Sequence, residues 1–209
     1  MLDIQYQHAL ERSCETRKLV EVSEILSGGT PNTKVDEYWQ NGSIPFFAPG
    51  DATNSIYTMI TEKHITESGL ANCNSALYPT DTVFLTARGT VGKVAMAGVP
   101  MAMNQSCFAF AGIGIPQTVV FQMIKRAVYS LKTKAIGAVF AAINTRDLKL
   151  EEVDIPNSSV MADYDAFARP IHVLIKANEE EVLRLAEFRD ALLPKLMSGE
   201  IDVSKVDIK

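Results

Sequence analysis

The sequence predicts a fold of the α/β (α+β) class, with a mixed, irregular sheet, packing helices and a long helix at the C-terminal end. Two observations support this prediction. Several short runs of β-branched and apolar residues are bounded by glycine, proline and other turn residues, which is typical of strands in a small sheet. Apolar residues also recur every three or four positions in residues 116–131 and 163–193, which is the period of an amphipathic helix. We expect one domain over residues 1–160, followed by a long helix with a short tail over residues 161–209.

The N-terminal part of the chain contains one clear strand. Residues 1–18 are polar and are expected to be irregular. Residues 19–26 mix apolar and acidic side chains, which fits either a short helix or a strand. Ile44–Ala48 is an apolar run between turn signals, and Pro45 near its start suits the beginning of a strand.

The middle of the chain predicts three further strands. Residues 82–87 and 93–97 are apolar and are separated by a loop that carries two glycines. Residues 102–111 read as one strand with polar residues inserted at Asn104–Ser106. A last strand is expected around residues 153–156.

The first predicted helix begins at Pro116, which suits a first turn, and Gly137 is placed where a C-terminal stop is expected. In the second, Pro170 is expected either to kink the helix or to mark its true start, and Pro194 to end it. A helix over residues 163–193 would be about 45 Å long.

The long helix carries a heptad-like seam of mostly apolar residues. Its members are Ile171, Leu174, Asn178, Val182, Leu185, Phe188 and Leu192. Such a helix either packs wholly on its own domain or forms an intermolecular coiled coil. Asn178 favours the coiled coil, because a buried asparagine fixes register at a cost in stability.

Composition narrows the function classes. The chain has 209 residues and a net charge of −5, and 47% of its residues are hydrophobic, so disorder over most of its length is excluded. A non-specific coat on nucleic acid is disfavoured, although a local basic patch is compatible with these numbers. Three cysteines without a CxxC pair indicate a reduced compartment, and no apolar run approaches a membrane span. We therefore expect a cytoplasmic protein that does not enter a membrane.

Common enzyme signatures are missing from the sequence. There is no GxxxxGK[ST] phosphate loop, no GxGxxG after a strand and no GxSxG elbow. The three histidines, His8, His64 and His172, have no ligand-like spacing. We expect no catalytic residue, no metal and no cofactor in this chain.

Three polar loops are candidates for binding, and each also has a purely structural interpretation. The residues that carry the binding hypothesis are Ser27, Gly28, Gly29 and Thr30 in the first loop, Arg88, Gly89, Thr90 and Lys93 in the second, and Asn104 and Gln105 in the third. Adjacent glycines let a backbone approach a phosphate, arginine pairs with guanine or phosphate, and asparagine or glutamine pairs with adenine. The structural alternatives are a tight connection, a solvated hairpin tip and an internal hydrogen-bond network.

Six segments, in this order, resemble the specificity subunit of type I DNA restriction–modification systems. The matching segments are Ser27–Pro31, Glu37–Trp39 with Gly42–Phe46, Ile65–Leu70, Thr86–Ala95, Pro100–Cys107 and Leu185–Glu200. The resemblance extends from Leu19 to Val203. The chain departs from the family plan at Ile155–Ser158, where members often have a longer, proline-rich exit from the domain.

The resemblance implies a target-recognition domain that reads one half of a bipartite, interrupted site in double-stranded DNA. In that family, methylation and cleavage belong to partner subunits, and long helices space the domains and dock the methyltransferase. The chain resembles a half-length subunit, which implies a homodimer paired through Ile171, Leu174, Asn178, Val182, Leu185 and Leu192. The expected partners are DNA, a type I methyltransferase (modification) subunit and a second copy, with the joining of a restriction subunit left open.

Two alternatives remain at this stage. The first alternative to a DNA-recognition subunit is a non-catalytic silent or regulatory recognition cassette. The second is a small enzyme that holds a phosphorylated substrate with Arg88 and Lys93. The missing nucleophile and metal ligands count against the enzyme.

Overall fold

The structure, a computed structural model, describes residues 1–134 and 142–201. The elements in chain order are α1 (Leu2–Arg12), β1 (Cys14–Lys18), α2 (Leu19–Val22), β2 (Ser23–Ser27), β3 (Ile44–Phe47), β4 (Tyr57–Thr58), β5 (Lys63–Ile65), α3 (Glu67–Ala71), β6 (Val83–Thr86), β7 (Val94–Ala97), β8 (Ala102–Met103), β9 (Cys107–Gly112), α4 (Gln117–Lys134), α5 (Thr145–Leu150), β10 (Glu152–Pro156) and α6 (Ser158–Met197). Two single 3₁₀ turns lie at Asp36–Tyr38 and Pro49–Asp51. The predicted α/β class, with irregular sheets and a long C-terminal helix, is confirmed.

The N-terminal segment is ordered, and the expectation that residues 1–18 are irregular is wrong. Helix α1 buries Leu2, Tyr6, Ala9 and Leu10, whose spacing puts them on one face of the helix. Charged residues between them mask this pattern. Strand β1 is fully exposed and forms a two-stranded antiparallel sheet with β10.

A five-stranded sheet forms the centre of the domain, in the order β2-β9-β6-β7-β4. The pairs from β2 to β7 are antiparallel, and β4 joins β7 in parallel. Residues 19–26, expected to be either a helix or a strand, contain both, since α2 ends at Val22 and β2 starts at the next residue.

A three-stranded sheet, in the order β5-β3-β8, lies beside the larger one. Strand β3 pairs with β5 antiparallel and with β8 in parallel. The single strand predicted over residues 102–111 is wrong, because it is two strands in different sheets. The polar residues Asn104–Ser106 form the turn that carries the chain from one sheet to the other.

Helix α4 packs against the larger sheet, and its buried side chains form part of the main core. Val119, Val120, Met123 and Ile124 are at most 1% exposed, as the helical spacing predicted. The predicted stop at Gly137 lies outside the described residues.

Helix α6 is continuous over 40 residues, or about 60 Å. It starts earlier than predicted, at Ser158, where the Asn157 side chain caps it, and it runs through Pro170 and Pro194 to Met197. The expectation that Pro194 ends the helix is therefore wrong. Within the described parts of the chain, no helix is both long and apolar enough to cross a membrane.

Candidate nucleic-acid interface

The three polar loops meet at one end of the five-stranded sheet. Ser27 at the end of β2 pairs with Phe108 in β9, and Thr86 at the end of β6 pairs with Cys107 at the start of β9. The loops after β2, before β9 and after β6 therefore leave the sheet on the same side. Neighbouring strands lie about 4.8 Å apart, so the four adjacent strands β2, β9, β6 and β7 span about 14 Å. This is close to the width of the major groove of B-DNA, about 12 Å.

The first and third loops are bonded to each other. Thr30 Oγ1 donates to Gln105 Oε1, and the Gly29 amide donates to the Met103 carbonyl at 3.1 Å. The Asn104 amide donates to the Phe47 carbonyl at 2.9 Å, which ties the turn to β3. The two backbone bonds hold the turn that carries Gln105, whose exposed side chain bonds to Thr30.

The two glycines of the first loop are buried and allow backbones to pack closely. A Cβ on Gly28 would lie 2.0 Å from the Asn104 carbonyl oxygen, and one on Gly29 would lie 2.5 Å from the Asn74 nitrogen. Because protein backbone occupies the side-chain face of both glycines, they fix the loop, whereas the flanking Ser27 is exposed and the Thr30 hydroxyl bonds to Gln105.

The second loop is a hairpin braced from below by a buried threonine. Thr86 Oγ1 accepts from the Lys93 amide at 3.0 Å and donates to the Thr90 carbonyl. The Arg88 amide donates to the Ser106 carbonyl at 3.2 Å, which joins this loop to the third one. Arg88 is exposed, and its guanidinium has no hydrogen bond or ion pair with any residue that the structure describes.

The 3₁₀ turn after β3 supports the same hairpin, which the sequence did not indicate. Thr90 Oγ1 donates to the Pro49 carbonyl, and Lys93 Nζ donates to the Ala52 carbonyl, each at 2.8 Å. Each of these contacts joins residues that are 41 positions apart in the chain, so no local sequence pattern indicates them. Lys93 thus braces the loop, although its side chain remains exposed.

A cleft of about 480 Å³ lies elsewhere, between the domain and α6. His172 from α6 is buried there, with Nδ1 3.3 Å from the Tyr57 hydroxyl, which donates to Asp81 Oδ1 at 3.0 Å. Burial lowers the pKa of His172, and burial together with the Asp81 charge raises the pKa of Tyr57. The cleft is lined by neither Arg88 nor Lys93, so its perturbed groups give no support to an enzyme built on those two residues.

The seam of α6 divides into a covered and an uncovered part. Ile171 is half-buried against the core of its own domain. From Leu174 onward the seam is open, with Leu174 and Val182 each 60% exposed and Leu185 56% exposed. Asn178 is also exposed, and Leu192 is 45% exposed. The domain therefore covers only the start of the predicted seam.

Comparison with known proteins identifies the family. Residues 11–163 match the family described as Type I restriction modification DNA specificity domain. The chain belongs to this family. The chain is 32% identical over 158 residues to the type I restriction enzyme MjaIX specificity subunit of Methanocaldococcus jannaschii, and this match covers 72% of this chain and 35% of that protein. The HindI specificity subunit of Haemophilus influenzae is 26% identical over 204 residues, covering 91% of this chain and 42% of that protein.

Solved structures show the same fold. The S subunit of the type I restriction–modification system from M. genitalium superposes with a TM-score of 0.64 at 16% identity, over 93% of this chain and 48% of that one. The chain thus spans 35–42% of the length of these curated relatives and about half of that solved subunit.

Proposed function

We propose that the chain is the sequence-specific DNA-recognition component of a type I restriction–modification methyltransferase. It reads one half of a bipartite, interrupted site in double-stranded DNA. The observation that carries the proposal is the convergence of the three loops at one end of the sheet, over a width that fits one groove. The names of the relatives support the same function.

The exposed side chains at this end have the chemistry for reading bases. The Arg88 guanidinium can fork onto the O6 and N7 acceptors of guanine, and the Gln105 amide can pair with adenine. Ser27 presents a hydroxyl beside them, which suits a phosphate or sugar contact. Because the loops are bonded to one another and to the 49–52 turn, little conformational entropy is lost on binding.

In this proposal the chain has no catalytic role. Methylation and cleavage belong to partner subunits, in accord with the relatives, which are named specificity subunits. The proposed partners are the modification subunit and, in a restriction-competent assembly, a restriction subunit.

The DNA-recognition proposal is tested by mapping methylated bases in cells that express the chain with its modification subunit. One interrupted sequence is expected to be methylated. Arg88→Ala and Gln105→Ala are each expected to relax the sequence at one base position, since a bidentate contact is worth about 1–3 kcal/mol of discrimination. Lys18→Ala is the control, because Lys18 is exposed and precedes the opposite end of β2.

Each outcome of the mapping has a definite meaning. An unchanged methylated sequence in both loop variants would show that these loops do not read the bases. A chain that neither binds DNA nor co-purifies with the modification subunit would favour the silent-cassette alternative.

We also propose that two copies pair through the open seam of α6. Five apolar side chains of the seam, Leu174, Val182, Leu185, Phe188 and Leu192, are 45–63% exposed in the single chain. A long helix with an uncovered apolar stripe is stabilised when a second helix covers it.

Sedimentation of the purified protein tests the pairing. The unchanged chain is expected to be a dimer, and Leu174→Asp with Leu185→Asp is expected to be a monomer. Val173→Asp is the control, since Val173 is 63% exposed but lies off the seam. A dimer that survives the double substitution would place the interface elsewhere.

A further inference from the structure

We infer that a second surface, beside the recognition loops, binds the sugar–phosphate backbone of the same DNA. Its residues are Thr33, Lys34, Trp39, Lys63 and His64, which we call the lateral groove. Four of them line a concave surface of about 410 Å³, and Lys34 adjoins it in the chain. This inference rests on the DNA-recognition function proposed above and adds a contact site to it.

The register of the small sheet places the lateral groove at the same end as the loops. Lys63 of β5 pairs with Phe46 of β3, which pairs with Ala102 of β8. Two strand spacings put Lys63 about 10 Å from Ala102. Gln105 follows Ala102 by only three residues, so the groove flanks the proposed base-reading loops. If the three loops enter a major groove about 12 Å wide, a sugar–phosphate strand at the edge of that groove would run about 10 Å from the loops, on the side where Lys63 lies.

The turn that carries Lys34 is held rigidly. The Asn32 carbonyl accepts from Trp39 Nε1 and from the Val35 amide, each at 3.2 Å. Asn32 Oδ1 accepts from the Lys34 amide at 3.0 Å. Trp39 in turn packs edge-on against Phe46, with ring centroids 5.5 Å apart. The Lys34 backbone is therefore positioned before any ligand arrives.

The two lysines are exposed and uncommitted. Among the described residues, no carboxylate lies within ion-pair distance of the Lys34 or Lys63 ammonium group. Lys125 and Lys134, by contrast, are ion-paired, with Asp3 at 2.6 Å and with Glu151 at 2.7 Å.

A nearby carboxylate is also occupied. Asp51 accepts from the Ala48 amide at 2.7 Å and from the Glu62 amide at 2.9 Å. Its charge is thus partly satisfied by backbone donors. Unpaired lysines at the edge of a polar groove, next to a hydroxyl and an imidazole, are the groups that bind phosphate oxygens.

The test measures the salt dependence of affinity for a labelled mixed-sequence DNA duplex. Each phosphate contact contributes about 0.9 to the slope of log affinity against log salt concentration. The double variant Lys34→Ala, Lys63→Ala is expected to reduce the slope by about 1.8. The matched control is Lys18→Ala, Lys149→Ala, which removes the same charge from exposed lysines in β1 and the last turn of α5 and is expected to keep the slope. Lys34→Arg, Lys63→Arg is expected to retain it as well.

Trp39 supplies a second readout, because it is the only tryptophan in the chain. Duplex binding is expected to change its fluorescence in the unchanged protein and in the control variant, and the change is expected to be lost in the double alanine variant. Equal slopes in all variants, with duplex binding intact, would overturn the lateral groove alone. No duplex binding by the unchanged protein would overturn the recognition function and this inference together.

Discussion

Substitution of Gly28 by alanine tests whether the close contact between the first and third loops holds the recognition end of the domain together. The new Cβ would lie 2.0 Å from the Asn104 carbonyl oxygen and 2.5 Å from the Met103 carbonyl oxygen. Ordinary contacts of this kind begin at 3.4 Å, so one backbone must move by about 1.4 Å. Both obstacles are backbone atoms, so no side chain can rotate to relieve the clash.

The cost has two parts. Overpacking of a tight site costs about 1–3 kcal/mol. The movement also strains the hydrogen bond from the Gly29 amide to the Met103 carbonyl, whose loss leaves buried groups unpaired at about 1–3 kcal/mol. Together these contributions predict a loss of about 2–6 kcal/mol in the free energy of unfolding, or a decrease of about 4–24 °C in Tm for a chain of this size.

Urea unfolding and thermal melting of Gly28→Ala measure this cost. Gly50→Ala is the matched control, because no heavy atom lies within 4 Å of the position of its new Cβ. The control is expected to be neutral or slightly more stable, since alanine restricts the unfolded chain. A Gly28→Ala protein within about 0.5 kcal/mol of the Gly50→Ala protein would refute the close-contact argument.

Three further predictions concern the support of the loops and the helix. Burial lowers the pKa of His172, although the charges of Asp81 and Asp165 oppose the shift. As the pH falls, His172 is therefore protonated in the unfolded state before it is protonated in the folded state. The free energy of unfolding is expected to fall as the pH drops below about 6.5. In His172→Gln, urea titrations at several pH values should show a smaller fall, and an unchanged pH profile would exclude His172 as its source. Thr86→Val leaves the Lys93 amide without its partner and is expected to cost about 1–3 kcal/mol by urea unfolding and to weaken duplex binding, whereas full stability would show that the brace is dispensable. Ala168→Leu, at a fully buried contact of α6 with the domain, is expected to lower stability by about 1–3 kcal/mol, and equal stability to that of the exposed control Ala191→Leu would contradict the docking of α6.

The sequence was most informative where structure depends on local chemistry. The strand over residues 44–47 and helix α4 follow their apolar patterns, because each buries one continuous set of side chains. The three loops were also identified from their glycine and polar residues. Their convergence could not be predicted, because it depends on the antiparallel pairing of β2, β9 and β6.

The segments that the sequence predicts wrongly, and the contacts that it does not indicate, have different causes. Residues 102–111 form a continuous apolar pattern because both halves are buried, but in two different sheets. Helix α1 was obscured by charged residues on its exposed face. The Thr86 brace and the 49–52 support depend on contacts that only the folded chain creates.

The two-stranded sheet of β1 and β10 brings the two ends of the domain together. The chain enters and leaves the domain through this one pair, with Cys14 opposite Pro156 and Lys18 opposite Glu152. On the outer side of the pair, α1 and α6 lie together, joined by the Arg12–Asp163 ion pair at 2.9 Å. Residues 19–151 therefore form an insert whose two ends coincide in space. A genetic crossover within the pair would replace all three polar loops at once, while α1 and α6 would keep their sequence and spacing.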